Sequence, residues 1–351
     1  MTHQELPSYD QPPAGALRFN TDSRKLEVYC GGPVGFGTTT ITGAWYQIDS
    51  FTPDTATGGA RGVFAGGTTP TVVNTIDYIT ISTTGNSLSF GNLATQRYDL
   101  ASLSSTTRGV FAGGQNPTIL SSIEYVTISS TGSTASFGNL SSARSRVRSC
   151  SNSTRGIFLG GQQINNIEYI TIASTGDAKD FGDLTTTRRF VSSCSSSTRG
   201  ISAGGQNPAT TNIIEFITIS TLGNASYFGD LTVARYGAGG CSNATRGVFG
   251  GGVHLPSSVY YNTIDYITIS SLGNAIDFGD IFTGRYGASA CSSSTRGVFV
   301  GGQGPSPTPN TIFNIIEYVS INSTGNAIDF GDITSSNRFS SGACSNGHGG
   351  L

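Results

Sequence analysis

An Arg-Gly pair that opens a short apolar run and closes on Gly-Gly recurs six times along this chain. It reads ARGVFAGG from Ala60, TRGVFAGG from Thr107, TRGIFLGG from Thr154, TRGISAGG from Thr198, TRGVFGGG from Thr245 and TRGVFVGG from Thr295. The arginines, Arg61, Arg108, Arg155, Arg199, Arg246 and Arg296, are spaced 47, 47, 44, 47 and 50 residues apart. A fixed period of this length admits few architectures, because each unit must bury its apolar faces against the next copy of itself. Each unit also carries four strand-like segments. After the Arg-Gly run comes a second, such as NTIDYITIS from Asn74, then a third that follows a T-G-N or L-G-N turn and ends in Phe-Gly-Asn or Phe-Gly-Asp. A fourth follows an arginine, as in RYGASACSS from Arg285. Four short strands in a period near 47 predict the blades of a β-propeller.

The strand patterns agree with that reading. In IDYITI, Ile76 and Tyr78 point to one face and Ile79 and Ile81 to the other, so both faces are apolar, as a blade between two neighbours requires. The turns TTGNS, STGDA and SLGNA put Gly beside Asn or Asp, residues that tolerate positive φ in tight hairpins. The first unit begins at its Gly-Gly strand and lacks the fourth kind of segment; RFSSGACSN, from Arg338 to Asn346, supplies it from the other end of the chain. The expectation is an all-β protein. A short β-hairpin attachment and oligomerisation segment over residues 1–56 precedes a six-bladed propeller over 57–351, closed by the C-terminal strand.

Composition narrows the function. Charged residues are 11% of the 351, and 36% are hydrophobic and arrive in short periodic runs, so the chain folds. A net charge of −2 with no Lys/Arg run argues against nucleic acid as a partner. The N-terminal MTHQELPSYDQPP lacks a basic stretch followed by an apolar one, and no segment approaches a membrane span. Cys150, Cys194, Cys241, Cys291 and Cys344 occupy one equivalent position, a blade's width apart, and read as small core residues, neither disulfides nor metal ligands.

The repeat resembles the kelch family. The order of features is the same: a double glycine closing one strand, then an acid and an aromatic (Asp77-Tyr78, Glu124-Tyr125, Glu168-Tyr169, Glu215-Phe216, Asp265-Tyr266, Glu317-Tyr318), then an aromatic followed by an arginine. Kelch repeats usually carry Trp where this chain has Phe90, Phe137, Phe181, Phe228, Phe278 and Phe330. In residues 1–56 the strands ALRFNT and KLEVYC, joined at Asp22-Ser23-Arg24, read as a hairpin, with AWYQI and its Trp45 as a third strand. That pattern is similar to a short module of tailed-phage fibre and other virion proteins, and the TRGVF-GG repeats resemble those of cyanophage virion proteins. The resemblance implies a non-enzymatic virion structural protein made in the host cytoplasm, a tail fibre or receptor-binding appendage. The N-terminal segment would then dock to other tail or baseplate proteins, the propeller would recognise a host-surface glycan or protein, and the chain would form a homo-oligomer such as a trimer. A cellular kelch-type scaffold and a capsid or neck decoration protein are the alternatives.

Six acids and six arginines invite a catalytic or metal-binding story, but groups as periodic as the glycines read as structure. The expected ion pairs are Arg61 with Asp77, Arg108 with Glu124, Arg155 with Glu168, Arg199 with Glu215, Arg246 with Asp265 and Arg296 with Glu317. A kelch-like copper oxidase needs converging histidines, whereas His3, His254 and His348 are the only three; no sialidase box or phosphate loop occurs. No catalytic residue and no cofactor is expected. Irregularity points to binding instead, since insertions in repeat proteins gather on one face. From the second glycine to the acid the steps are 10, 10, 7, 10, 13 and 15 residues. The long loops of blades five and six hold His254, Tyr260, Tyr261 and Phe313, aromatic groups suited to stacking on a sugar or anchoring in a protein pocket.

Overall fold

The computed structural model describes residues 16–20, 25–30, 44–47, 60–162, 164–305 and 310–351. The chain separates into two compact units, Met1–Thr57 and Gly58–Leu351. In the first, Leu17–Asn20, Lys25–Cys30 and Ala44–Gln47 form a three-stranded antiparallel sheet in chain order, with Leu17 opposite Val28 and Tyr29 opposite Trp45. The expected hairpin and third strand are therefore present; the joining residues Asp22-Ser23-Arg24 lie outside the described residues.

The second unit is a ring of six four-stranded antiparallel sheets, a six-bladed β-propeller. Blade four is typical. Its inner strand Ser192–Ser195 pairs with Arg199–Ala203, which pairs with Ile213–Thr218 and then with the outermost strand Ser226–Asp230. Blade one takes its inner strand from the far end of the chain, Gly342–Ser345 lying antiparallel to Arg61–Ala65 with Cys344 opposite Val63. The C-terminal strand closes the ring, as the sequence predicts.

Six apolar clusters, each shared by two adjacent blades, are the core. Val63, Ile76 and Phe90 of blade one pack with Phe111, Val126 and Ile128 of blade two, while Phe64, Ile79 and Ile81 face Val298, Ile316 and Phe330 of blade six. The alternation read from IDYITI is thus a division of side chains between two interfaces. Interface geometry also explains the Arg-Gly pair. A Cβ added to Gly200 would stand 2.6 Å from the Cys150 sulfur of the preceding blade, and Gly247 meets Cys194 in the same way. Glycine is needed because the neighbour's thiol fills the place of a side chain. The cysteines are buried and unpaired, and burial pushes the Cys150, Cys241 and Cys344 thiols up to about 12, so they stay protonated and inert.

The six acids do form buried ion pairs, but with a different set of arginines from the one expected. Asp77 pairs with Arg338, Glu124 with Arg97, Glu168 with Arg144 and Glu215 with Arg188. Asp265 meets Arg235 at 2.9 Å and Glu317 meets Arg285 at 2.6 Å. Strand parity is the reason. Arg61 lies opposite Thr80 and Asp77 opposite Phe64, so the two side chains leave the sheet on opposite faces. Arg61 instead lies 4.9 Å from the Tyr78 ring centre and donates to the Ile128 and Ser129 carbonyls of blade two; Arg108, Arg155, Arg199, Arg246 and Arg296 repeat the ring contact at 4.5–4.8 Å. The paired arginines sit on the segments that cross from one blade's outermost strand to the next blade's inner strand. Arg188, for example, also donates to the Gly204 and Ile213 carbonyls at 3.0 Å, and Glu215 accepts from the Thr185 amide at 3.2 Å. Each pair is a staple between consecutive blades.

Candidate binding site at the loop end of the channel

The inner strands surround a central channel with two unlike ends. One end, the loop end, carries the Gly-Gly loops and the crossing segments, which touch through bridges such as Tyr236 with Val253 and Tyr286 with Gln303. There, two residues after each paired arginine, Asp99, Arg146, Phe190, Gly237, Gly287 and Ser340 take φ of 54–68°. Each amide donates to the carbonyl of its counterpart in the preceding blade, from Arg146 to Asp99 and onward to Ser340 and Gly287, at 2.7–3.2 Å. Six backbone hydrogen bonds close into a ring around the mouth. The left-handed conformation is what turns each peptide toward its neighbour, and the four residues that are not glycine hold it at a cost of about 1 kcal/mol each.

Aromatic side chains cover part of this rim. Phe190 lies 5.7 Å from Tyr236, Tyr236 5.8 Å from Tyr286, and Tyr286 4.9 Å from Phe339 and 5.8 Å from Tyr260, measured between ring centres. The Tyr286 hydroxyl donates to Gln303 Oε1 at 3.0 Å, which holds its ring, and burial raises the pKa of both Tyr236 and Tyr286. Gly287 makes room for this row, since a Cβ there would collide with the Phe339 ring.

Of the aromatic groups singled out from the long loops, only Tyr260 joins the row. The loop of blade five folds back as a two-stranded hairpin, Val253–His254 with Val259–Tyr260, which sets Tyr260 on Tyr286. His254 is half-buried, its Nδ1 2.8 Å from the Ser257 hydroxyl, and Tyr261 is half-buried with its amide bonded to the Gly252 carbonyl. Phe313 turns inward and is 9% exposed, its ring 5.9 Å from the Arg285 guanidinium and against Gly304. It is a core residue, because an aromatic beside a paired arginine covers that cation from water. Tyr236, Tyr286 and Phe339 lie outside the long loops, immediately after the paired arginines Arg235, Arg285 and Arg338. The signal for them is this one column of the repeat, where the other units have Tyr98, Ser145 and Arg189.

The opposite end is regular. Ser104, Ser151, Ser195, Ser242, Ser292 and Ser345 form a second ring, each hydroxyl donating to the carbonyl of its counterpart in the preceding blade at 2.5–2.7 Å. His348 fills the space against this ring. Its Nδ1 accepts from the Gly350 amide at 3.1 Å, which leaves Nε2–H to donate to the Ser104 carbonyl at 3.1 Å. Burial lowers the imidazole pKa to about 4.

The loop end therefore presents half-buried aromatic faces, the cations Arg146 and Arg189 and a rigid backbone rim, which suits stacking and hydrogen bonding to a polar ligand. Among the described residues, no three His, Cys, Asp or Glu side chains cluster as metal ligands, and no helix is long and apolar enough to cross a membrane. Compared with known families and curated proteins, the chain matches no family and no curated sequence.

Proposed function

We propose that this protein is a non-enzymatic binding component of a phage particle, a tail fibre or receptor-binding appendage of kelch-like design. The N-terminal unit attaches to other virion proteins, and the loop end of the propeller engages a glycan or protein of the host surface. The observation that carries this reading is the row Phe190, Tyr236, Tyr286, Tyr260 and Phe339. In a molecule whose remaining features repeat blade by blade, these aromatic rings gather at one end, on blades four, five, six and one. Rings held in place by packing lose little entropy on stacking against a sugar face or a partner's side chain. The buried acids and arginines support the non-enzymatic part of the reading, since all six carboxylates are engaged by a cation and none is left to act as acid or base.

The test is adsorption. Purified wild-type protein is expected to compete with the particle for host cells, and the triple variant Tyr236→Ala, Tyr260→Ala, Tyr286→Ala is expected to lose that competition while keeping its far-UV spectrum and a cooperative melt. A folded triple variant that competes as well as wild type removes the loop end as the binding face.

A further inference from the structure

Among the described residues, the channel wall between the two rings contains one charged side chain that the repeat does not explain. Arg148 opens the inner strand of blade three, where the other five blades have Ala101, Ser192, Gly239, Ser289 and Gly342. It lines a cavity just below the backbone ring, together with Ser102, Ser149, Ser193 and Ala290. That cavity has room for water or a small ion.

The guanidinium is poorly matched by the protein. Of its five N–H donors, a single one is used among the described residues, by the Val147 carbonyl at 3.0 Å. The neighbouring hydroxyls point elsewhere, Ser149 to the Ser102 carbonyl at 2.7 Å, Ser193 to the Ser149 carbonyl at 2.8 Å and Ser289 to the Ser341 carbonyl at 2.6 Å. The acid that acts on it is Asp99, but that carboxylate is already engaged by Arg146 Nε at 3.6 Å. Two cations, Arg146 and Arg148, thus share the one carboxylate of Asp99.

We propose that the upper channel is an anion site, in which the planar fork of Arg148 holds a small carboxylate or inorganic oxyanion by two parallel N–H···O bonds. The cavity lies below the backbone ring and is built on Arg148, so it is a different place from the aromatic row. The site stands whether or not the receptor reading does.

The full chain is melted at constant ionic strength in sodium gluconate, a bulky anion that serves as the reference, and then in acetate, phosphate or bromide. Wild type is expected to melt several degrees higher in a small anion, the acetate and phosphate arms showing which oxygen geometry fits better. Arg148→Gln should melt at the same temperature in all four salts, and Arg148→Lys should show a reduced response. Equal melting of wild type in all four salts, or an equal anion response in Arg148→Gln, overturns the proposal. If Arg148→Gln does not fold, crystals of wild type grown in bromide decide: an anomalous peak beside the Arg148 guanidinium supports the site, and a cavity without one overturns it.

Discussion

At one end of the channel the six inner strands contribute the same residue, and Ser104, Ser151, Ser195, Ser242, Ser292 and Ser345 close a ring through their hydroxyls. At the other end the ring is made of Asp99, Arg146, Phe190, Gly237, Gly287 and Ser340, six positions with five residue types. The two rings have the same symmetry and different bonding groups. Where the hydroxyl makes the bond, the side chain cannot vary without breaking it. Where amide and carbonyl make the bond, the side chain is free of that duty and can differ from blade to blade. The loop end can thus acquire cations and aromatic rings, and the serine end cannot.

The largest way to break both rings at once is to delete residues 340–351. That removes Ser340 from one ring and Ser345 from the other, with the inner strand of blade one and His348, and the cooperative urea transition of the propeller is expected to disappear. A transition of unchanged midpoint would mean that the closure of Gly342–Ser345 on Arg61–Ala65 contributes little. Next come the staples that join the blades. Arg188→Met strands Glu215 in a buried site and is expected to lower stability by about 3–5 kcal/mol in urea unfolding, most of which the added Glu215→Leu should restore.

Acid should act on the serine end selectively. His348 titrates near 4 in the folded chain against an ordinary 6.5, so between these values the unfolded chain binds more protons. The stabilisation is complete above about 6.5 and is lost as pH falls toward 4, by at most about 3 kcal/mol. Wild type and His348→Gln should therefore diverge in denaturant midpoint above pH 6 and converge near pH 4; parallel curves would refute the assignment. The smallest effects compare one serine from each ring. Ser195→Ala leaves the Ser151 carbonyl without its hydroxyl and is expected to cost about 1–2 kcal/mol. Ser340→Gly relaxes a left-handed residue and keeps the amide and carbonyl that make the ring, and should be neutral or stabilising by about 0.5 kcal/mol. Equal losses in the two variants would erase the distinction between the rings.

The blade count, the strand order and the closure were legible because each is stated six times over by glycines, turns and alternating apolar residues. The ion pairs were half legible. The acids were recognisable as buried, but the choice of Arg338 over Arg61 for Asp77 needed the register, because parity places Arg61 on the other face of its sheet. Loop length was an incomplete guide to the candidate site. It led to Tyr260, but also to Phe313, which the fold turns inward, and it passed over Tyr236, Tyr286 and Phe339, which sit in segments of ordinary length. Their meaning rests on the ring itself, since only closure brings residues 236, 286 and 339 to one rim.

The strand that closes blade one also sets the timing of assembly. Arg61 and Asn346, which meet at the end of that sheet, are 285 residues apart. At about 5–20 residues per second, Arg61–Ala65 leaves the ribosome on the order of tens of seconds before its partner strand exists. During that interval Val63 and Phe64, wholly buried in the finished ring, belong to a strand with an open edge. Mutations or temperatures that slow synthesis lengthen the exposure without changing any native contact, so the yield of folded protein can fall while the stability of what does fold is unaltered.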